Sequence, residues 1–238
     1  MNEQRTEGER RIRALIRAVI SPGIWLVVFL QLAVVVARWS APPDQPVQLL
    51  GRLALVAGAV TAMFYMVSGA YQALAATRSI VSMRAVIEAG RRAFFPLLGL
   101  VVKTGALGLA AAILVLLAAR IAGLLGDAES AAPIIFTAAI AMSGVLSYLF
   151  VYWLPWVFVH QDFRVVPSLL AALDVFRARF SKSGFVALLT LGPTALALVL
   201  PNDSGLIVVL LVSLLNLMTA WSAYIYAAEY LGDQSGGA

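Results

Sequence analysis

Side chains able to do chemistry are scarce in this chain. It has no cysteine and a single histidine, His160. Disulfides, thiolate metal sites, bis-histidine haem and Cys/His nucleophile pairs are therefore excluded. No phosphate-binding glycine loop, HExxH, GxSxG or carboxylate pair at catalytic spacing occurs. His160 lies two residues from Asp162, and a histidine that titrates near neutrality can relay protons. No nucleophile or second base is placed beside that pair by sequence, so it reads as an interfacial pair. The chain is expected not to be an enzyme, with no catalytic, metal-binding or cofactor-binding residue.

What remains is a handful of polar side chains in apolar surroundings. Of the 238 residues, 62% are apolar and 12% charged, and the mean hydropathy is +0.93. Soluble domains sit nearer half and a quarter, so this chain has too little polar surface to cover a water-facing globule. Apolar runs at 22–39, 49–75, 96–123, 132–160, 184–200 and 204–231 are long enough to cross a hydrocarbon core about 30 Å thick. Hydrocarbon admits only helices or closed barrels, and these runs are too long for barrel strands. Breakers punctuate them: Ala41-Pro42-Pro43-Asp44, Gly126-Asp127-Ala128-Glu129 and Pro201-Asn202-Asp203-Ser204-Gly205. The expected fold is all-α: one transmembrane domain, 1–238, built as a polytopic bundle of six transmembrane helices with amphipathic helices on its cytoplasmic face.

Basic residues set the orientation. Arg5, Arg10, Arg11, Arg13, Arg17, Arg78, Arg84, Arg91, Arg92, Arg164, Arg177, Arg179 and Lys182 fall on one side, against Arg38, Arg52 and Arg120 on the other. By the positive-inside rule a multi-pass membrane protein with both termini and the basic linkers cytoplasmic is expected. The arginines are dispersed, with no soluble module to carry them, so they point to anionic headgroups and not to nucleic acid. The first run follows a helix of mixed charge and has no small-residue cleavage site, so no cleaved signal peptide is expected.

Lys103 lies inside the third run, roughly 10 Å from its cytoplasmic end at 1.5 Å per residue. A cation at that depth costs a few kcal/mol unless it snorkels or is paired (about 3 at a helix centre). It either reaches a lipid phosphate or marks a site for an anionic headgroup, substrate or partner acid. Gln31 in the first run and Asn216 in the last are expected to hydrogen-bond between helices. Thr61, Ser68, Thr104, Ser143, Ser147, Thr190, Ser213 and Thr219 can bond back to their own helices. Small-residue spacings at Ala54-x3-Gly58-x3-Ala62 and Thr104-x3-Gly108-x3-Ala112 would allow close helix approach or a homo-oligomer. Pro155 would kink the fourth run and Gly192-Pro193 break the fifth. Tyr148, Tyr152, Trp153 and Trp156, with Tyr224, Tyr226 and Tyr230, fall where an aromatic belt meets the headgroups.

The two basic linkers match at an offset of 86 residues. Arg78, Ser82, Ala85, Glu88, Arg91 and Phe94 correspond to Arg164, Ser168, Ala171, Asp174, Arg177 and Phe180. The spacing predicts two amphipathic helices in the headgroup layer, apolar side down and arginines toward phosphate. Glu88 and Asp174 would neutralise neighbouring arginines. A weaker third copy, matching at Arg17, Ile20 and Pro22, divides the chain into parallel units of about 1–76, 77–162 and 163–238. Any cytoplasmic amphipathic helix selects Arg, Ala and Phe, and that explanation of the match stays open.

The stretch Tyr152-Trp153-Leu154-Pro155-Trp156-Val157-Phe158-Val159-His160, followed by Val166-Pro167-Ser168-Leu169-Leu170-Ala171-Ala172-Leu173, resembles a poorly characterised family of bacterial six-span inner-membrane proteins. That family is related to membrane domains fused to some glycerophosphodiester phosphodiesterases. These 238 residues include no phosphodiesterase catalytic domain, so the resemblance implies an integral membrane protein and no catalytic residues. The expected function is a structural or accessory membrane subunit. It would bind a membrane-protein partner, a second copy or anionic lipid through Lys103, Arg78, Arg91, Arg164 and Arg177. Two other readings stay open: a small-molecule or lipid transporter with Lys103, Asn216 and Gln31 lining the path, and an enzyme or sensor at the cytoplasmic edge using Glu88, Asp174 and His160.

Overall fold

The computed structural model describes residues 2–39, 49–121, 150–180, 184–186, 188–189 and 205–235. Among them no strand occurs, and seven helices account for nearly all. These are α1 (Asn2–Ile20), α2 (Pro22–Trp39), α3 (Leu49–Ala76), α4 (Met83–Ile121), α5 (Trp153–His160), α6 (Val165–Ala178) and α7 (Leu206–Ser235). Prolines sit where the helices start. Pro22 opens α2 and Pro167 lies in the first turn of α6, positions whose N–H would have no partner within the helix. Pro155 offers no N–H to the Val151 carbonyl, and the 3-10 turn Phe150–Tyr152 sits at that point, leading into α5.

Among the described residues, three helices are long and apolar enough to cross a membrane: Val56–Ala76 in α3, Met83–Ala111 in α4 and Leu206–Gln234 in α7. α1 and α2 pass the same test only as a pair, bent by 65° at Ser21. Most of the fourth and fifth runs, the three breaker segments apart from Gly205, and Gly192-Pro193 lie outside the described residues.

The expected headgroup helix over 78–94 is not a separate element. From Met83 it continues through Pro96 into the third run as one 39-residue helix, roughly 60 Å long at 1.5 Å per residue. Proline costs a helix its bond to the carbonyl four residues back. Here that carbonyl belongs to Arg92, an exposed residue, where water can replace the missing partner. The matching second linker does form its own helix, α6. The two copies also use their serines differently. Ser82 precedes α4 and accepts the Ala85 N–H at 3.2 Å, whereas Ser168 lies buried inside α6 with its hydroxyl on the Val165 and Arg164 carbonyls.

α4 packs antiparallel on α3, joined by residues 77–82. Phe94 meets Phe64 edge-on at 5.6 Å, and the Tyr65 hydroxyl donates to the Ile87 carbonyl at 2.8 Å. α7 runs through the centre, against α1, α2, α3 and α5. Residues 221–229 of α7 are buried without interruption, which requires neighbours on every side. One core cluster joins Ala14, Ala18, Ile24, Val28, Leu74 and Trp221; a second joins Leu97, Leu100, Tyr152, Phe158, Phe176 and Ala227. The opposite half of α7 is open, with Ile207 and Leu211 exposed.

The close helix approach lies away from the expected small-residue motifs. A methyl group placed on Gly58 or Gly108 would meet nothing within 4 Å, whereas one on Gly69 would overlap the Val86 carbonyl oxygen. Four of the expected back-bonds are present: Thr61 donates to Ala57, Thr104 to Leu100 and Thr219 to Leu215, at 2.7–2.9 Å, and Ser68 donates to Tyr65; Ser143, Ser147 and Thr190 lie outside the described residues.

Candidate functional site

The described chain ends meet at one end of the bundle. Arg10 on α1 donates to Asp233 on α7 at 2.9 Å, and Arg78 from the α3–α4 connection reaches the same carboxylate at 2.5 Å. Deeper in lies Arg17, whose side chain is 4% exposed and whose partner Glu229 is 5% exposed, with 3.0 Å between them. The guanidinium also donates through Nε to the Ser79 carbonyl at 2.9 Å, and through Nη2 to the carbonyls of Leu74 and Thr77. Helices leave their last carbonyls without intrahelical partners, and a cation there complements the dipole. Arg17 therefore terminates α3, anchors the connection to α4 and ties α1 to α7 with one planar group.

A second node sits beside it. Arg179, just past α6, donates to Glu7 at 2.9 Å and to the Tyr226 hydroxyl at 3.3 Å, while Tyr226 donates to Glu7. The Arg179 guanidinium lies 3.6 Å from the Tyr230 ring centroid, and Arg10 lies 5.6 Å from the same centroid. Four elements thus converge on one interlocked polar cluster.

The aromatic residues expected as a lipid-facing belt are largely interior. Tyr152, Trp153, Tyr224 and Tyr226 are buried, and only Trp156 and Tyr230 are half-buried; Tyr148 lies outside the described residues. Their polar tips have partners within the protein, which removes the need for headgroup water. Trp153 Nε1 donates to Ser168 and Tyr224 donates to the Tyr71 carbonyl, both at 2.8 Å.

The candidate contact residues do not gather into one pocket. Arg78 is engaged with Asp233. Arg164 grips Asp162 through Nε and Nη2, each at 2.8 Å, and Arg177 stands 3.7 Å from Asp174. Glu88 pairs with Arg84 at 2.7 Å and not with Arg91. Arg91 and its neighbour Arg92 are exposed and make no ion pair among the described residues. Lys103 is exposed on α4, and no hydrogen bond joins it to Gln31 on α2 or Asn216 on α7 among the described residues. Gln31 Oε1 is buried with no hydrogen-bond partner among the described residues. An open apolar groove of about 460 Å³ separates α2 from α7, where Phe29, Leu32 and Val36 face Ile207, Leu211 and Leu214. Such a lining offers no polar group to orient a substrate.

His160 stacks on Trp156 at 4.4 Å. Asp162 turns instead to Arg164, whose side chain and backbone N–H hold the carboxyl down at about 2. A depressed carboxylate contributes stability above its unfolded value, and that contribution is lost as pH falls through the folded value. Hence the bracket between α5 and α6 persists at neutral pH and opens only in strong acid. Carboxyl-carbon NMR of Asp162 is expected to titrate near 2; a midpoint near 4, the ordinary aspartate range, would mean that Arg164 swings free.

Arg17, Glu229, Glu7 and Arg179 were not among the site residues expected from the sequence. A faint signal exists, since Arg17 interrupts Ile16, Ala18 and Val19, and Glu229 is the one acid inside the last apolar run. Among the described residues no group of three or more metal-ligating side chains converges. No protein-family model, curated protein or solved structure matches the chain.

Proposed function

We propose that this chain is a structural or accessory membrane subunit that binds anionic lipid or a membrane partner through the arginines at its terminal end. The carrying observation is the pair Arg91 and Arg92, exposed and without ion pairs among the described residues, one turn above Phe95, which is 75% exposed. Guanidinium groups over an outward aromatic ring on a membrane-crossing helix match a phosphate layer above acyl chains. Arg164 and Arg177, exposed despite their acidic neighbours, extend the same rim. In this reading the terminal end faces the cytoplasm of a bacterial inner membrane, and six spans form three units, 1–76, 77–162 and 163–238. The resemblance to six-span inner-membrane proteins accords with that arrangement.

The double variant Arg91→Gln/Arg92→Gln should retain the fold yet lose most of the phosphatidylglycerol that co-purifies with the wild type in mild detergent, as read by native mass spectrometry. Equal retention by the two proteins would defeat the lipid reading. A second reading, a transporter with Lys103, Asn216 and Gln31 along its path, is favoured by one observation, the buried Gln31 oxygen that has no partner among the described residues. A polar group left unpaired inside a membrane bundle is costly, and a water-filled path beside it would supply the missing partner.

A further inference from the structure

α1 is amphipathic the wrong way round for a helix that faces water. Its inward side holds Arg17 and carries Glu7 and Arg10, packed beside Ala14 and Ala18, while Ile12, Ile16 and Val19 point outward, each more than half exposed. Spacings of four and three place these three on a single stripe, which Leu15 and Ile20 widen. Arg13, exposed, borders that stripe on one edge, and Glu9, also exposed, stands one turn before it at the stripe's N-terminal end.

The helix is inclined to the bundle. Residues 7, 10 and 17, spread over about 15 Å of α1, reach residues 226, 233 and 229, spread over about 10 Å of α7 and in no steady order along it. α1 therefore crosses α7 and does not run beside it, in keeping with the 65° bend to α2. One residue, Ser21, separates the two helices, and the Trp25 indole N–H holds the corner by donating to the Val19 carbonyl at 2.6 Å. The outward apolar surface of α2, where Phe29 is exposed, thus continues into the stripe on α1.

We propose that α1 lies in the plane of the bilayer, with Ile12, Ile16 and Val19 immersed in the acyl chains of the leaflet at the terminal end and its charged side sealed against α7. The inference rests on the membrane-crossing assignment of the neighbouring helices and not on the headgroup reading of Arg91 and Arg92. An apolar stripe flanked by one charged edge is the pattern of an in-plane helix; the difference here is that most of the charge turns inward and is neutralised by protein. The occupant is lipid because the stripe is continuous with the apolar outer surface of α2, a helix packed on the membrane-crossing α3 and α7, and the single residue joining α1 to α2 gives α1 no slack to lift away from it.

The chain has no cysteine, so single variants Ile12→Cys, Arg13→Cys, Ile16→Cys and Val19→Cys can carry a spin label without background. In vesicles of phosphatidylcholine, with and without added phosphatidylglycerol, oxygen should relax labels at 12, 16 and 19 several-fold more effectively than a water-soluble nickel chelate. The label at 13 should shift toward the chelate. The pattern should be the same in both lipids, whereas the headgroup reading is judged separately by phosphatidylglycerol retention. Chelate access exceeding oxygen access at 12, 16 and 19 would overturn the proposal. So would exclusion of both reagents with dipolar broadening between labels, which would assign the stripe to a second copy.

Discussion

Replacing Arg17 with methionine is expected to destabilise the folded protein by about 3–5 kcal/mol, the range for stripping one partner from a buried ion pair. The loss is large because three separate things fail together. Glu229 is left buried without its counter-charge, α3 loses the donor for its last carbonyls, and residues 77–79 lose their anchor. Arg17→Lys should recover only part of this, since an ammonium cannot span a carboxylate and three carbonyls as a planar fork does. The double variant Arg17→Met/Glu229→Leu should be more stable than either single change, because no isolated charge remains. Unfolding by added dodecyl sulfate in mixed micelles reads all three. Equal midpoints for wild type and Arg17→Met would show that the pair does not hold α1 to α7.

Gly69→Ala is expected to be the second severe change, at about 3 kcal/mol, the upper end for overpacking a filled contact. The added methyl would overlap the Val86 carbonyl oxygen and lie 2.8 Å from the Gly90 nitrogen. Both are backbone atoms, so no rotamer change can make room and the α3–α4 pair must open. Gly90→Ala faces the Tyr65 ring at 2.7 Å and the Tyr65 carbonyl at 3.0 Å, and should cost less because a ring can turn. Gly58→Ala is the counterpart: nothing lies within 4 Å, and the alanine gains about 0.5–1 kcal/mol of helix propensity. The same chemical change should therefore move the thermal midpoint down at 69 and up at 58. A fall at both positions would mean that the two helices pack differently.

These two contacts also mark where sequence reasoning stops. Helical, membrane-crossing structure is a property of local composition, and the apolar stretches of α3, α4 and α7 declare it without knowledge of any partner. Which faces meet is not local. Gly58 and Gly69 are both glycines in α3, and only the course of α4 makes one of them indispensable. Arg17 and Glu229 are 212 positions apart, and no spacing rule links them. The aromatic residues misled for a related reason: Tyr226 at a span end fits a headgroup belt equally well until a carboxylate, Glu7, arrives from the other end of the chain. Pro96 misled through its own chemistry. Proline ordinarily ends a helix, but here the carbonyl it abandons belongs to an exposed residue, Arg92, and the helix continues.

That uninterrupted α4 has a mechanical corollary. Its close contacts with α3, at Val86 and Gly90, lie near one end, with about 10 Å of helix from Gly90 back to Met83 and about 46 Å on to Ile121. A rod pivoted there is a lever. For a rod turning about that point, a sideways shift of about 1 Å at the short arm corresponds to roughly 4 Å at the far tip, by the ratio of those lengths.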